Sequence, residues 1–142
     1  MDIAFVGAGR VVSWQLERFK SYKQLNVTGI FDPDENINLE LKNKGITCCT
    51  SIEDLASLSA DVYVISTPSN LHKHALVELI KYLKNDAVIT IEKPTFLKHD
   101  DFTDIKNIAS KSTIKLFPIF QNRYNNAIQF TKESIKKGLL GN

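Results

Sequence analysis

The sequence contains no hydrophobic run long enough to span a bilayer, and Asp2 and Arg10 closely bracket its first apolar run. A transmembrane helix needs about 20 consecutive apolar residues, and a secretory signal needs an apolar core of its own. Neither pattern is present in these residues. We therefore expect a cytoplasmic protein that has no membrane partner.

The chain contains only two cysteines, and its positive and negative charges nearly balance. The two cysteines, Cys48 and Cys49, are adjacent, so a disulfide between them would be strained, and no Cys-x-x-Cys zinc motif exists. We interpret them as buried or half-buried thiols on a short strand. The formal net charge is +2, and the basic residues are scattered along the chain, which argues against nucleic acid as the main partner.

Strand and helix patterns alternate along the 142 residues, a length that suits one domain. Continuous β-branched runs are typical of parallel strands that are covered on both faces. The predicted strands are Asp2–Val6, Val27–Phe31, Ile46–Cys49, Val62–Ser66, Ala87–Ile91 and Ile114–Phe117. The predicted helices are Val11–Tyr22, Asn36–Asn43, Leu71–Leu83, Asp100–Ser110 and Asn126–Lys137, with a further helix start at Ser51, three residues before Asp54. The predicted fold class is α/β, a doubly wound, Rossmann-like parallel sheet.

A glycine turn follows the first predicted strand directly. Gly7 allows a sharp turn, and Gly9 lets the backbone approach a pyrophosphate. The amides near Arg10 and Val11, at the start of the next helix, would then face the phosphates. Val12 stands where the Gly-x-Gly-x-x-Gly fingerprint has its third glycine, which predicts a slightly displaced first helix.

Asp32 ends the second predicted strand, 23 positions after Gly9. A carboxylate at this place accepts hydrogen bonds from the adenosine ribose and repels a 2′-phosphate. No lysine or arginine occurs in the four residues that follow Asp32. The residues therefore favour a dinucleotide site that takes NAD rather than NADP; the alternative is an ordinary βαβ turn with a solvated aspartate.

Three further motifs follow predicted strands, and with the glycine turn they resemble the N-terminal half of the Gfo/Idh/MocA oxidoreductase family. The motifs are Thr67-Pro68 with His72, Glu92-Lys93-Pro94, and Gln121-x-Arg123. They stand in the family's order over nearly the whole chain, and Glu-Lys-Pro is the most discriminating of them. The resemblance implies an NAD-dependent dehydrogenase that acts on a sugar, cyclitol or nucleotide-sugar.

The resemblance also implies a role for each matched residue. Lys93 would be catalytic, because an ammonium beside the reacting carbinol stabilises negative charge on its oxygen. A cis bond at Lys93–Pro94 is a hypothesis. The implied cofactor contacts are Gly7, Gly9, Arg10, Val11, Asp32, Thr67, Pro68, Asn70, His72, Glu92, Lys93, Gln121 and Arg123.

Several side chains have plainer interpretations. His72 and His74 lie two residues apart at a helix start and do not share a face, so we predict no metal site. Lys93 could be a solvated lysine at a strand end, and Arg123 could pair with a surface acid. Trp14 and Phe19 are interpreted as packing residues.

The predicted domains are a dinucleotide-binding domain, 1–120, and a connecting segment, 121–142. The segment Gly138-Leu139-Leu140-Gly141 resembles the entry into the family's second domain, an α+β substrate domain that also often forms the oligomer interface. We therefore expect a truncated chain that binds NAD without turning over substrate, and a complete protein that binds a sugar-like substrate and forms a homo-oligomer.

Two other function classes remain open at this point. A non-catalytic module could bind NAD(H) and report redox state to a partner, although it would not need Lys93. A methyltransferase has a similar glycine loop and acid, but Glu92-Lys93-Pro94 and Thr67-Pro68 argue against it.

Overall fold

The fold is built around a five-stranded parallel sheet, which the computed structural model describes for residues 1–83 and 86–140. The strand order is β2-β1-β3-β4-β5, and every neighbouring pair is parallel. The strands are β1 (Asp2–Val6), β2 (Asn26–Phe31), β3 (Val62–Ile65), β4 (Val88–Ile91) and β5 (Lys115–Pro118). The predicted doubly wound fold is confirmed.

Six helices are described between and after these strands. They are α1 (Arg10–Phe19), α2 (Glu35–Asn43), α3 (Ile52–Ser57), α4 (His72–Tyr82), α5 (His99–Ala109) and α6 (Asn126–Lys136). Two short 3-10 turns precede α4 and α6, at Ser69–Leu71 and Gln121–Tyr124. None of the helices in the described ranges is long and apolar enough to cross a membrane.

The order of the strands creates a crevice at the carboxyl ends of β1 and β3. The chain leaves β1 toward β2 on one side, and it later returns to place β3 on the other side. Connections that diverge from neighbouring strands leave a gap between their loops, and open α/β sheets bind ligands in that gap. The glycine turn after β1 lies at this switch point.

Alternate residues of β1 serve the two faces of the sheet. Ala4 and Val6 belong to one buried cluster, and Ile3 and Phe5 belong to the other. Val12 is completely buried in the second cluster, so α1 accommodates the larger side chain within the core. Each face is therefore covered by helices, as the β-branched strands predicted.

The prediction for the two aromatic residues of α1 is right for one and wrong for the other. Phe19 packs on Phe5, with ring centroids 6.2 Å apart. Trp14 is 65% exposed. It lies on the face of α1 opposite the buried Val12, and no described element covers it.

The predicted strand Ile46–Cys49 is wrong as a regular strand. It forms a single parallel bridge, between Ile30 and Cys48, with hydrogen bonds from Ile30 N to Thr47 O and from Cys49 N to Ile30 O. Gly45, in the left-handed region at φ +76°, and Ser51, the N-cap of α3, bound this short segment. Its place beside β2 is nevertheless that of an outer strand.

The cysteines of this segment are both free, and they are half-buried and buried as predicted. Burial raises the pKa of the Cys49 thiol to about 11, with smaller contributions from the nearby Asp54 and Cys48. Because the thiolate is the reactive form, Cys49 is a packing residue and a poor nucleophile.

Candidate dinucleotide-binding site

One row of main-chain hydrogen bonds aligns the ends of all five strands. Gly7 N donates to Phe31 O, Ser66 N to Val6 O, Glu92 N to Ile65 O, and Ile119 N to Ile91 O, at 2.7 to 3.0 Å. Each bond joins the first residue of one loop to the last residue of the neighbouring strand. The loops that carry the predicted motifs therefore begin at the same edge of the sheet.

The glycine turn is fixed by close contact with the loop after β3. Gly7 has φ +92°, and a Cβ built on it would lie 2.8 Å from Ser66 C and from Thr67 N. Only glycine combines this backbone conformation with so close an approach. The turn therefore brings the loops after β1 and β3 together at the switch point.

The start of α1 is open to an anion. Its N-cap is Gly9, which has no side-chain acceptor, and the first turn of the helix contains no acidic residue. A Cβ built on Gly9 would meet no atom within 4 Å in the described part of the chain. The helix N-terminus thus offers amide donors and a positive dipole end to open space.

Asp32 joins the loop after β2 to the glycine turn. Its Oδ2 accepts a hydrogen bond from Ala8 N at 2.7 Å, and its Oδ1 accepts one from Asp34 N at 2.9 Å. Asn38 holds the main chain in place by donating from Nδ2 to Asp32 O at 2.8 Å. A carboxylate has about four acceptor sites, so the orientation is fixed while two sites stay available for ligand hydroxyls.

These loops surround a cleft of about 900 Å³. Of the predicted contacts, seven line it: Gly7, Gly9, Arg10, Val11, Asp32, Thr67 and Pro68. A second wall comes from the start of α3, from the 3-10 turn before α4 and from α4 itself, and sequence reasoning missed it: Ser51, Ile52, Glu53, Leu71, His74, Ala75, Glu78 and Tyr82. The Ser51 cap, which the structure confirms through its bond from Asp54 N, was the available signal for the α3 part.

Two buried hydroxyls in the cleft wall suit a polar ligand. Ser66 Oγ and Thr67 Oγ1 are buried, and neither has a hydrogen-bond partner within residues 1–83 and 86–140. Buried polar groups are normally paired, so such atoms next to a cleft are candidates for ligand contacts. Together with the open amides of α1, they fit a polar ligand such as a dinucleotide.

Five predicted contacts lie outside this cleft. Glu92 and Lys93 begin the loop after β4, on the side of β3 away from β1, and the Lys93–Pro94 peptide is cis. Asn70 is exposed and borders a separate hollow beside α5. Gln121 and Arg123 are exposed on the 3-10 turn after β5, where the Arg123 guanidinium lies 5.0 Å from the centre of the Phe120 ring.

His72 is also behind the cleft wall rather than in it. The residue is 1% exposed, and its ring nitrogens contact two main-chain carbonyls. Nε2 lies 2.9 Å from Thr67 O, and Nδ1 lies 3.1 Å from Thr95 O. Its contribution to the predicted site is therefore indirect, through the loops after β3 and β4.

Residues 1–120 match the Gfo/Idh/MocA family, described as an oxidoreductase family with an NAD-binding Rossmann fold. The chain belongs to this family. The domain is thus an NAD-binding domain of the oxidoreductase class, which removes the methyltransferase alternative.

Three known proteins illustrate the similarity. The 2,7-anhydro-N-acetylneuraminate hydratase of Escherichia coli is 26% identical over 130 residues, which are 89% of this chain and 34% of that protein. The WlbA dehydrogenase of Chromobacterium violaceum, solved with NADH and UDP-GlcNAcA, has a TM-score of 0.85 at 23% identity, over 97% of this chain and 40% of its own. The scyllo-inositol dehydrogenase of Lactobacillus casei, solved with NAD(H) and scyllo-inositol, has a TM-score of 0.83 at 16% identity, over 100% of this chain and 42% of its own.

The chain therefore spans between a third and a half of the length of these relatives. The likeness to the two solved structures establishes the fold. The connecting segment predicted from 121 onward stays a prediction, and its last residues, Gly141 and Asn142, lie outside the described residues.

Proposed function

We propose that this chain is the cofactor-binding part of an NAD-dependent dehydrogenase that acts on a sugar, cyclitol or nucleotide-sugar. The observation that carries the proposal is the bond from Ala8 N to Asp32 Oδ2. It holds the Asp32 carboxylate, which would bind the adenosine ribose, beside the glycine turn whose amides would bind the pyrophosphate.

The charge of the cleft supports NAD over NADP. Four carboxylates line it, from Asp32, Asp34, Glu53 and Glu78, whereas Arg10 is the one lysine or arginine among its described lining residues. A hydrogen bond from Lys81 lowers the pKa of Glu78 and pairs its charge, so the unpaired negative charge of the cleft comes from the other three carboxylates. An added 2′-phosphate would therefore enter a region of negative potential.

Replacing Asp32 with asparagine should weaken NAD binding by about tenfold, because a neutral amide is a poorer acceptor for the ribose hydroxyls. The same change should narrow the preference for NAD over NADP, since the repelling charge is gone. Isothermal titration of the purified chain with each dinucleotide measures both effects.

Asp61→Asn is the matched control. Asp61 also accepts a main-chain bond next to β1, from Asp2 N at 2.8 Å, but it lies at the opposite end of the sheet. Its substitution should leave both dinucleotide affinities unchanged. Equal losses in the two variants would mean that Asp32 is a structural carboxylate, and failure of the unchanged chain to bind NAD would refute the proposed cofactor.

Gly9→Ala should leave the fold intact and lower NAD affinity by about tenfold or more, because the new methyl would lie where the pyrophosphate approaches. The free energy of unfolding should change by about 1 kcal/mol or less, since alanine is a poorer N-cap but restricts the unfolded chain. Titration with NAD and urea denaturation measure the two quantities. Gly45→Ala, remote from the cleft, should retain full affinity; undiminished binding by Gly9→Ala would contradict the proposed phosphate position.

Lys93 is the residue that we assign to the reaction itself. When bound, NAD supplies the hydride acceptor. Lys93 is exposed and forms no ion pair with any residue that the structure describes, so its ammonium charge is available to a substrate oxygen. That charge would stabilise the oxygen as it becomes more negative during oxidation.

A reaction without net oxidation is a second candidate, because one of the relatives is named as a hydratase. Product analysis of the complete protein separates the two. A dehydrogenase accumulates NADH in proportion to oxidised product, whereas a hydratase forms a product that differs from its substrate by one water and leaves the NADH concentration unchanged.

A further inference from the structure

His72 connects two loops that have no other hydrogen bond between them in the described residues. The ladder between β3 and β4 ends with the bond from Glu92 N to Ile65 O. Beyond it, the segments 66–71 and 93–98 are joined through the His72 ring, which contacts Thr67 O and Thr95 O. The first segment carries Thr67-Pro68, and the second carries Lys93-Pro94.

We propose that His72 is a positioning residue that clamps these two loops together and thereby shapes the site for the nicotinamide ring of NAD. This inference rests on the proposed function. It assigns His72 to a place behind the site, where it acts through the two main-chain segments and does not touch the cofactor.

The burial of His72 favours a clamp over an incidental contact. His72 is completely enclosed and lies on the same buried stripe of α4 as Ala75, Leu76 and Leu79. A buried imidazole needs partners for its polar atoms, and a main-chain carbonyl oxygen lies within 3.1 Å of each ring nitrogen here. Because these side chains anchor α4 to the core, the ring is a fixed point from which both loops are held.

Two buried hydroxyls on the clamped loops indicate a polar ligand site beside the clamp. Thr67 Oγ1 and Thr95 Oγ1 are both buried, and neither has a partner among the residues that the structure describes. Each belongs to a residue whose carbonyl contacts His72. A clamp that fixes these two carbonyls also fixes the two hydroxyls, which remain without a partner in the described residues beside the proposed site.

The chemistry of the ring suggests two complementary variants. Both partners are carbonyl oxygens, so the doubly protonated ring donates to both of them, whereas a neutral imidazole donates to one. The amide nitrogen of glutamine approximates the position of Nε2, so His72→Gln can retain the bond to Thr67 O. That of asparagine approximates Nδ1, so His72→Asn can retain the bond to Thr95 O. Each variant breaks the clamp at one side.

Titration of the purified chain with NADH and with ADP-ribose tests the proposal, since ADP-ribose lacks the nicotinamide. Each variant should bind NADH about tenfold more weakly, the effect of roughly one lost hydrogen bond, and should bind ADP-ribose as tightly as the unchanged chain. His99→Gln, an exposed histidine on α5, is the control and should bind both ligands normally. Equal weakening of both ligands, or no weakening of either, would overturn the clamp.

A measurement on the unchanged chain keeps the test decisive if both variants unfold. In ¹⁵N NMR spectra, NADH should shift the His72 ring resonances and ADP-ribose should leave them in place. If both ligands bind and the ring resonances respond to neither, the proposal is overturned. If the unchanged chain binds neither NADH nor ADP-ribose, the proposed function itself fails, which is a different outcome.

Discussion

Replacing Gly7 with alanine should lower the free energy of unfolding by about 2 to 5 kcal/mol. A non-glycine residue with left-handed backbone geometry costs about 1–2 kcal/mol. The new Cβ would also lie 2.8 Å from two main-chain atoms of the loop after β3, and such overpacking costs about 1–3 kcal/mol more. Because the opposing atoms are backbone, no side-chain rotation can relieve the contact. Urea denaturation followed by circular dichroism measures the change.

Gly45→Ala separates the two contributions. Gly45 also has positive φ, at +76°, but a Cβ built on it meets no described atom within 4 Å. Its substitution should therefore cost only the conformational part, about 1–2 kcal/mol. If the two alanine variants were equally stable, the close approach of the loops after β1 and β3 would not restrict the residue at position 7.

The glycine turn and Asp32 could be predicted because their roles depend on local order along the chain. A strand must end before the turn, a helix must begin after it, and the next strand must end in an acid. In a parallel sheet these ends meet at one edge, and the hydrogen bond from Gly7 N to Phe31 O shows the alignment. For these residues, the order of elements along the chain is therefore enough to predict their position in the fold.

His72 could be located on α4 by its sequence, but its burial could not. The predicted helix Leu71–Leu83 begins at Leu71, which is 43% exposed. The buried stripe instead starts one residue later and includes the histidine. A shift of one position rotates a helical residue by about 100°, so the sequence alone does not decide which of two neighbours faces the core.

The segment Ile46–Cys49 and Trp14 depend on what lies beside them. A β-branched run predicts a strand only if a neighbour offers a full ladder, and here β2 is bonded through Ile30 alone. Likewise an aromatic residue packs only where a second element covers it. The local sequence determines neither the neighbouring strand nor the covering element, so both predictions failed, whereas the central strands were predicted correctly.

Replacing Lys93 with methionine should lower kcat of the complete protein by about 10²-fold to 10³-fold, the usual effect of removing one group that stabilises developing charge on oxygen. Methionine preserves the length of the side chain and removes the ammonium. NADH affinity should remain within about twofold, because the amides of α1 and the Asp32 carboxylate bind the other half of the cofactor. Steady-state kinetics, with NADH titration of the same preparations, measure both quantities.

Lys98→Met is the matched control for this prediction. Lys98 is an exposed lysine of the same loop, five positions farther along, and it precedes α5. Its substitution removes the same charge at a place where no substrate oxygen is expected, so kcat should be unchanged. Equal losses in the two variants would indicate a general effect of loop charge. An unchanged kcat in Lys93→Met would remove Lys93 from the reaction, and a complete protein that binds NADH without any turnover would support the sensor alternative instead.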